Sequence, residues 1–146
     1  MAHQTLATFG YPTTLLCEYE HWCVCLRPKQ ATLGALVLIA KSDVTTFSEL
    51  PRTAFDELAR VTRHIEHVLG EQFRYEKINY LMLMMKDPQV HFHVLPRYSD
   101  QRIFAGTAFT DPGWPGPPEF GHVNGIEDQV YTRLIDDLKA MFSTMS

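Results

Sequence analysis

The stretch Gln89-Val90-His91-Phe92-His93-Val94-Leu95-Pro96-Arg97 alternates polar and apolar residues, and this alternation predicts a β-strand. Side chains alternate across a strand, so Gln89, His91 and His93 share one face and the apolar residues between them share the other. The apolar face belongs to a core. The polar face places two imidazoles and an amide in a row. An imidazole whose pKa lies near neutrality can act as a nucleophile, a proton carrier or a metal ligand.

The end of this stretch adds two features to the prediction. Pro96 cannot donate a backbone hydrogen bond, so the strand is expected to run from Gln89 to Leu95 and to stop there. Arg97 then supplies a fixed cation beside the histidine row, and its planar guanidinium suits a phosphate or a carboxylate. The stretch therefore combines candidate catalytic groups with a candidate anion-binding group.

Upstream of the histidine row, apolar runs predict further strands and one longer segment predicts a helix. The strands are expected at Leu15–Cys17, Trp22–Leu26, Ala35–Ile39 and Ile78–Met85, the last one buried on both faces. From Pro51 to Leu69 the apolar residues recur at steps of three and four, as on one face of an amphipathic helix: Phe55, Leu58, Val61, Ile65, Val68 and Leu69. Pro51 suits the first turn of this helix, and Gly70 suits the position just past its end.

The C-terminal part of the chain is expected to differ from the rest. Beyond Tyr98 it should be loop-like, because the proline-rich stretch at 111–118 cannot form regular helix or strand. A final helix is predicted from about Ile126 to Phe142, with an inner face of Val130, Leu134, Leu138 and Met141. Together the elements predict an α+β fold: a roughly five-stranded antiparallel sheet, one long helix packed on it and a C-terminal helix. We expect a single domain over residues 1–146, with a core at about 15–98 and a C-terminal loop and helix at about 99–146.

The overall composition excludes some classes of function. The 146 residues carry a net charge of -4, which argues against a broad basic face that grips nucleic acid but allows a small anionic ligand. The N-terminus lacks the pattern of a secretory signal, and the longest apolar stretch, Leu33–Ala40, is too short to span a bilayer. Cys17, Cys23 and Cys25 are expected to be free thiols in a reducing environment. We therefore expect a cytoplasmic protein without a membrane or nucleic-acid partner.

Two segments of the chain resemble a known family. The pattern Gln89-x-His91-x-His93-x-x-Pro96-Arg97 resembles the signature of the histidine triad (HIT) superfamily, in which three histidines alternate with apolar residues and a Pro-Arg often follows. The upstream segment Leu33-Gly34-Ala35-Leu36-Val37-Leu38-Ile39-Ala40-Lys41 resembles the Gly-His-x-Leu-Val-x-Pro-Lys strand of that family. The similarity runs from about Cys17 to Tyr98.

The resemblance implies a nucleotide phosphohydrolase or nucleotidyl transferase. The middle triad position, His91, would attack the α-phosphorus of a nucleotide conjugate and form a nucleotidyl-histidine intermediate, which water then cleaves. His93 would orient the nucleophile and donate to phosphate oxygens. The substrates implied are small molecules such as dinucleoside polyphosphates, nucleoside phosphoramidates or aminoacyl adenylates. The resemblance also implies a homodimer, and no cofactor or metal is expected.

The chain departs from the family pattern at several positions. Gln89 stands where the first triad histidine is expected, and an amide can hydrogen-bond a leaving group but cannot deliver a proton at neutral pH. The upstream family histidines correspond to Ala35 and Asp43. The phosphate loop before the triad is replaced by the segment 84–88, in which Lys86 is the candidate phosphate contact.

Two other classes of function stay open at this point. One is a non-catalytic nucleotide-binding module that has lost proton delivery with its first histidine. The other is a metal-binding protein, because a His-x-His pair on a strand offers two ligands. A third ligand would then come from His21, Cys23 or Cys25, although the two cysteines are more simply small buried hydrophobes.

Four further residues have a functional and a structural interpretation. Asn79 is a candidate ribose or phosphate contact, or a buried amide that closes a gap in backbone hydrogen bonding. Trp114 either covers a base or packs, and packing is favoured. His64 and His67 lie one helical turn apart, and surface positions are favoured over a metal site.

Overall fold

The computed structural model describes residues 3–145, and it contains one five-stranded antiparallel sheet with the strand order β1-β2-β3-β5-β4. The strands are β1 (Leu15–Glu18), β2 (Trp22–Leu26), β3 (Leu36–Ala40), β4 (Lys77–Leu81) and β5 (His91–Arg97). Every pair of neighbouring strands in this sheet is antiparallel. The three helices are α1 (Gln4–Thr8), α2 (Arg52–Phe73) and α3 (Asp128–Phe142). The predicted α+β fold is confirmed.

The two faces of the sheet are covered differently. One face forms the main core, where Trp22, Leu38 and Val94 pack together with apolar residues of α2 and α3. The Trp22 indole N–H also donates to the carbonyl of Ala54 in α2, at 2.8 Å. The other face carries the histidines beside a small apolar cluster that Leu6 of α1 joins. The long helices thus occupy one face, and the N-terminal segment with the short helix α1 packs on part of the histidine face.

The long helix α2 extends past the end that the sequence predicts. Gly70 was expected just beyond the helix, but it lies inside, and the helix ends at Phe73 with Arg74 in the left-handed conformation (φ 52°). Phe73 is buried, and a side chain at Gly34 would lie 2.7 Å from its ring. Burial of this ring offsets the cost of about 1 kcal/mol for a glycine inside a helix.

The predicted inner face of α2 is partly wrong. Phe55 is 37% exposed, whereas His64, expected at the surface, is 5% exposed. The Nδ1 atom of His64 lies 2.9 Å from the hydroxyl of Tyr19, so a hydrogen bond compensates for burial of the imidazole. His67 is exposed, as predicted. A polar residue at a core position is not recognised by hydrophobic periodicity.

The predicted strand Ile78–Met85 is too long. The strand β4 ends at Leu81, and Met84 adopts the left-handed conformation (φ 51°), which does not continue a strand. Leu83 is 46% exposed and Met85 is 81% exposed, so these two residues do not contribute to the core as expected. Met84 is partly buried against the main core.

The predicted histidine strand is shifted by two residues. Gln89 and Val90 precede β5, and Pro96 does not stop the strand but pairs with Ile78 of β4. The pairing of β5 with β3 ends at Val94, so Pro96 has a neighbouring strand on one side only. Proline is tolerated at such an edge because no ladder hydrogen bond needs its missing N–H.

The C-terminal segment contains more structure than predicted. A short hairpin, β6 (Arg102–Phe104) and β7 (Thr107–Phe109), lies where only loop was expected. Three-residue strands are too short to show an alternating pattern. The final helix is confirmed, with Val130, Leu134 and Leu138 buried, while Phe142 replaces Met141 as the most buried residue of its last turn.

The three cysteines are in the state that the sequence predicts. Cys17, Cys23 and Cys25 are free, and the latter two are buried, as predicted for small hydrophobes. No helix within residues 3–145 is both long and apolar enough to cross a membrane.

A buried ion pair attaches the C-terminal segment to the sheet. The guanidinium of Arg97 donates to both carboxylate oxygens of Asp111, at 2.7 and 3.1 Å, and a further N–H donates to Asn79 at 2.8 Å. The same carboxylate accepts from the backbone N–H of Tyr98. The two charged side chains are only 4% and 1% exposed. Each charge is therefore compensated by its partner and not by water.

We predict that Asp111→Ala lowers the free energy of unfolding by about 3 kcal/mol or more, because it leaves the Arg97 charge buried and unpaired. Urea denaturation followed by circular dichroism measures this change. Asp100→Ala removes an exposed carboxylate and serves as the control, with an expected change below about 0.5 kcal/mol. Equal stability of the two variants would contradict a structural role for the ion pair.

Candidate active site

A cavity of about 440 Å³ opens over the histidine face of β5. Its volume lies in the range of small-molecule sites. It is lined by two histidines, three cationic side chains, one carboxylate, one threonine and five apolar residues: Thr8, Phe9, Arg27, Pro28, Lys29, Leu83, Met84, Met85, Lys86, Asp87, His91 and His93. The excess of cations over carboxylates suits an anionic ligand that also has an apolar part.

The sheet fixes the positions of both histidines. In β5, His91 pairs with Ile39 of β3, and His93 pairs with Val37 of β3 on one side and Leu81 of β4 on the other. The two imidazole rings meet edge to face with their centroids 5.2 Å apart. The prediction that His91 and His93 share one face is confirmed.

The imidazole of His91 is held in one orientation. Its Nδ1 atom lies 2.8 Å from the backbone carbonyl oxygen of Gln89. A carbonyl oxygen can only accept, so Nδ1 must carry the hydrogen, and in the neutral ring Nε2 keeps its lone pair. His91 is 2% exposed and lines the cavity. This tautomer leaves Nε2 available as a nucleophile or as a proton acceptor.

The imidazole of His93 lies in an apolar environment. Its ring contacts Phe9 and Phe120, with centroids 5.7 and 5.2 Å away, and its buried Nδ1 has no hydrogen-bond partner in the structure. Burial, with smaller contributions from the nearby charges of Arg27 and His91, lowers the pKa of His93 to about 4. The ring is therefore neutral at neutral pH and can donate one hydrogen bond without carrying a charge.

Gln89 lies beside the histidines, but its side-chain oxygen is already bonded. The Oε1 atom accepts from the backbone N–H of Thr5 at 3.0 Å and from the Thr5 hydroxyl at 2.7 Å. Gln89 is not among the residues that line the cavity. The structure thus brings two of the three predicted catalytic residues into the cavity and turns the side-chain oxygen of the third toward α1.

The predicted substrate-binding residues are divided between two places. Lys86 is exposed and lines the histidine cavity. Arg97 and Asn79 line a separate cavity of about 320 Å³, together with Lys77 and Trp114. Asn79 is partly buried, and its amide accepts a hydrogen bond from the side chain of Arg97 and not from a backbone group, so it does not close a gap in backbone hydrogen bonding as expected. Trp114 does not line the histidine cavity.

Arg27 is a site residue that the sequence analysis did not identify. It follows β2, where Cys25 pairs with Val37 and Val37 pairs with His93, so residue 27 lies on the histidine face as well. Its Nε is buried and has no hydrogen-bond partner in the structure, and its guanidinium lies 5.4 Å from the centroid of Phe120. The sequence does show a charged residue at the end of a wholly apolar strand. Only the strand register shows that this residue lies on the histidine face.

Phe9 is a second residue at the cavity that the sequence does not predict. It follows the five-residue helix α1, and its ring contacts both His91 and His93, with centroids 5.8 and 5.7 Å away. A helix this short gives no readable periodicity, so the sequence carried no signal for it.

The described residues contain no metal-binding cluster. Within residues 3–145 no group of three or more His, Cys, Asp or Glu side chains is placed to hold a metal ion. The alternative in which His21, Cys23 or Cys25 completes a zinc site with the histidine pair therefore has no ligand set in this part of the chain.

The lowered pKa of His93 predicts a loss of stability in mild acid. Below about pH 6.5 the unfolded chain binds a proton at this residue, whereas the folded chain does so only near pH 4, so the free energy of unfolding falls as the pH falls through this window. Between about pH 7 and about pH 5 the loss amounts to ~2 kcal/mol.

Urea denaturation at the two pH values measures this loss, and we expect His93→Gln to show a smaller pH-dependent loss than the wild type by that amount. His67→Gln, at an exposed position, is the control and should behave as the wild type. An unchanged pH dependence in His93→Gln would contradict the assignment.

Comparisons with known proteins agree with this geometry. Residues 10–100 match the family model of the HIT domain. The fold is similar to that of a histidine triad protein from Marinobacter aquaeolei VT8, with a TM-score of 0.75 and 21% identity over 100% of this chain and 98% of that one. It is also similar to histidine triad proteins from Bradyrhizobium japonicum (TM-score 0.74, 16% identity, 97% of both chains) and Sinorhizobium meliloti 1021 (TM-score 0.72, 21% identity, 96% and 95%). No curated protein matches the chain in sequence. Since the family model covers well over half of its length, the chain belongs to the HIT domain family.

Proposed function

We propose that this protein is a nucleotide phosphohydrolase or nucleotidyl transferase that acts at the α-phosphorus of a nucleotide conjugate. The observation that carries the proposal is the hydrogen bond from Nδ1 of His91 to the carbonyl of Gln89, which leaves Nε2 free at a cavity with three cationic side chains. Phosphoryl transfer requires a nucleophile in a fixed tautomer and cationic groups near the phosphate.

The reaction proceeds in two displacements. Nε2 of His91 attacks the α-phosphorus, an N–P bond forms, and the bond from phosphorus to the leaving group breaks, so that the leaving group departs with the electron pair. Water, or an acceptor hydroxyl, then attacks the same phosphorus, the N–P bond breaks, the neutral imidazole leaves with the electron pair, and the proton of the attacking group is released to solvent. The Gln89 carbonyl stabilises the positive charge on the ring while the intermediate exists, because it accepts the Nδ1 hydrogen throughout.

The neighbouring groups have separate roles in this proposal. Arg27, Lys29 and Lys86 compensate the negative charge of the phosphates, and the guanidinium of Arg27, which lines the cavity, is a donor for a phosphate oxygen. Neutral His93 donates a hydrogen bond to the phosphoryl group and supports the ring of His91. Arg97, which donates to both Asp111 and Asn79, maintains the frame of the site.

The residue at position 89 limits the choice of leaving group. The Gln89 amide does not line the cavity and has no proton to transfer to a leaving group at neutral pH. A nucleoside polyphosphate leaves as a stable anion, whereas an amine needs protonation as it leaves. We therefore propose dinucleoside polyphosphates as better substrates than nucleoside phosphoramidates.

The chain is further proposed to act as a homodimer in the cytoplasm. The dimer rests on the resemblance to the histidine triad superfamily. The compartment is supported by three free cysteines, two of them buried, which need no oxidising environment.

His91→Asn tests the covalent mechanism. The asparagine amide can still donate to the Gln89 carbonyl but is not a nucleophile, so we expect loss of AMP release and of the trapped adduct. Alkali-quenched reactions with diadenosine tetraphosphate and with adenosine phosphoramidate, followed by mass spectrometry of the intact protein under non-acidic conditions, measure both quantities, because an N–P bond to imidazole survives in alkali but not in acid. His67→Asn changes an exposed histidine on α2 and should react as the wild type does.

Two outcomes would contradict the proposal. An adduct on the His91→Asn variant would assign the nucleophile to another residue. Nucleotide binding by the wild type without an adduct or AMP release would favour the non-catalytic binding module.

Arg27→Met tests the phosphate contact proposed for Arg27. Loss of a hydrogen bond to a charged group is expected to raise KM for diadenosine tetraphosphate about tenfold or more. Lys86→Met should have a smaller effect, because Lys86 is exposed and its charge is screened by solvent. Arg63→Met, exposed on α2, is the matched control. A KM for Arg27→Met equal to that of the control would exclude Arg27 from substrate binding.

A further inference from the structure

The N-terminal segment and the residue before the nucleophile are joined by a reciprocal set of hydrogen bonds. The backbone N–H and the hydroxyl of Thr5 both donate to Oε1 of Gln89, at 3.0 and 2.7 Å, and the same hydroxyl accepts from the backbone N–H of Gln89 at 3.1 Å. Thr5 is 0% exposed. In a buried place each of these bonds is costly to lose, because water does not replace the missing partner.

These bonds hold the residue whose carbonyl orients the nucleophile. Gln89 precedes β5, and the peptide group that carries its carbonyl is also held by the N–H of Val90, which donates to the carbonyl of Val44 at 3.3 Å. Its N–H is bonded to Thr5, and its carbonyl oxygen accepts from Nδ1 of His91. Two contacts therefore position that carbonyl, and with it the tautomer of His91: the backbone bond to Val44 beside it and the Thr5 side chain from the other end of the sequence.

The same contact holds the aromatic cover of the site. The backbone N–H of Phe9 donates to the carbonyl of Thr5 at 3.2 Å, and the ring of Phe9 contacts both His91 and His93. At the start of the segment, Nε2 of His3 lies 2.9 Å from the carbonyl oxygen of Ala40 in β3. Thr5 is thus a central attachment of a segment that lies over the histidines.

We propose that Thr5 is a positioning residue for the nucleophile and that Gln89 occupies the first triad position as its partner. The inference rests on the proposed function of His91. An amide oxygen has two lone pairs and accepts both donors of Thr5, whereas a neutral imidazole nitrogen has one and would leave one buried donor unpaired. Gln89 therefore attaches the N-terminal segment and does not transfer a proton.

The kinetic test compares Thr5→Val, which keeps the shape but removes the hydroxyl, with Thr5→Ser, which keeps the hydroxyl. We expect Thr5→Val to lower kcat for AMP release about tenfold to a hundredfold with little change in KM, because the nucleophile is misoriented while the phosphate contacts remain. Thr5→Ser should restore most of kcat. Thr32→Val is the matched control, since Thr32 is also buried but its hydroxyl has no hydrogen-bond partner in the structure.

A second measurement does not depend on catalysis. The ¹⁵N chemical shifts of the His91 ring report which nitrogen carries the hydrogen. We expect a single Nδ1–H tautomer in the wild type, Thr5→Ser and Thr32→Val, and a mixture of tautomers in Thr5→Val. An Nδ1–H tautomer retained in folded Thr5→Val would overturn the proposal. If the wild type forms no adduct, the proposed function fails, and this measurement still decides the role of Thr5.

A double-mutant cycle tests whether Thr5 acts through Gln89. Gln89→Leu removes the acceptor of both Thr5 donors. If the two residues form one unit, Thr5→Val combined with Gln89→Leu lowers kcat by no more than the larger single effect. Multiplicative losses in the double variant would show independent roles and would overturn the proposed coupling.

Discussion

The histidine strand is hydrogen-bonded along both of its edges, and the rest of the site depends on this constraint. β5 lies between β3 and β4, so it cannot shift without breaking two ladders. The backbone positions of His91 and His93 are therefore set by the sheet. Only the rotation of the rings remains to be restricted, and the Gln89 carbonyl and the aromatic ring of Phe9 do this. A rigid scaffold with a few orienting contacts is the general arrangement of an effective catalytic site.

Much of the fold could be predicted from the sequence because the relevant signals are local. The apolar runs of β2 and β3, the three-four periodicity of α2 and the alternation around His91 and His93 each arise within one element. Alternation also sufficed to place the two histidines on the same face, which the sheet confirms. Errors at element ends, such as the extension of α2 past Gly70, arise because a packing contact of Phe73 outweighs a local preference.

The parts that could not be predicted depend on contacts between distant residues. Arg97 in isolation is a free cation, and only the folded chain supplies Asp111 as its partner. Arg27 joins the site through the register of three strands, which no local pattern encodes. The exposed Leu83 and Met85 are apolar, so hydropathy alone assigns them to the core. Residues that serve a site often contradict local rules, because function and not stability selects them.

The hydrogen bonds between Thr5 and Gln89 join residues 84 positions apart in the chain. Closing a loop of that size costs conformational entropy that only the intervening structure can offset, so this contact is expected to form after the sheet has assembled. A refolding chain would then gain its secondary structure before His91 acquires a single tautomer. On the proposed roles of His91 and Thr5, recovery of bulk structure and recovery of a competent nucleophile are separate events in folding, and the second waits for the N-terminal segment to dock.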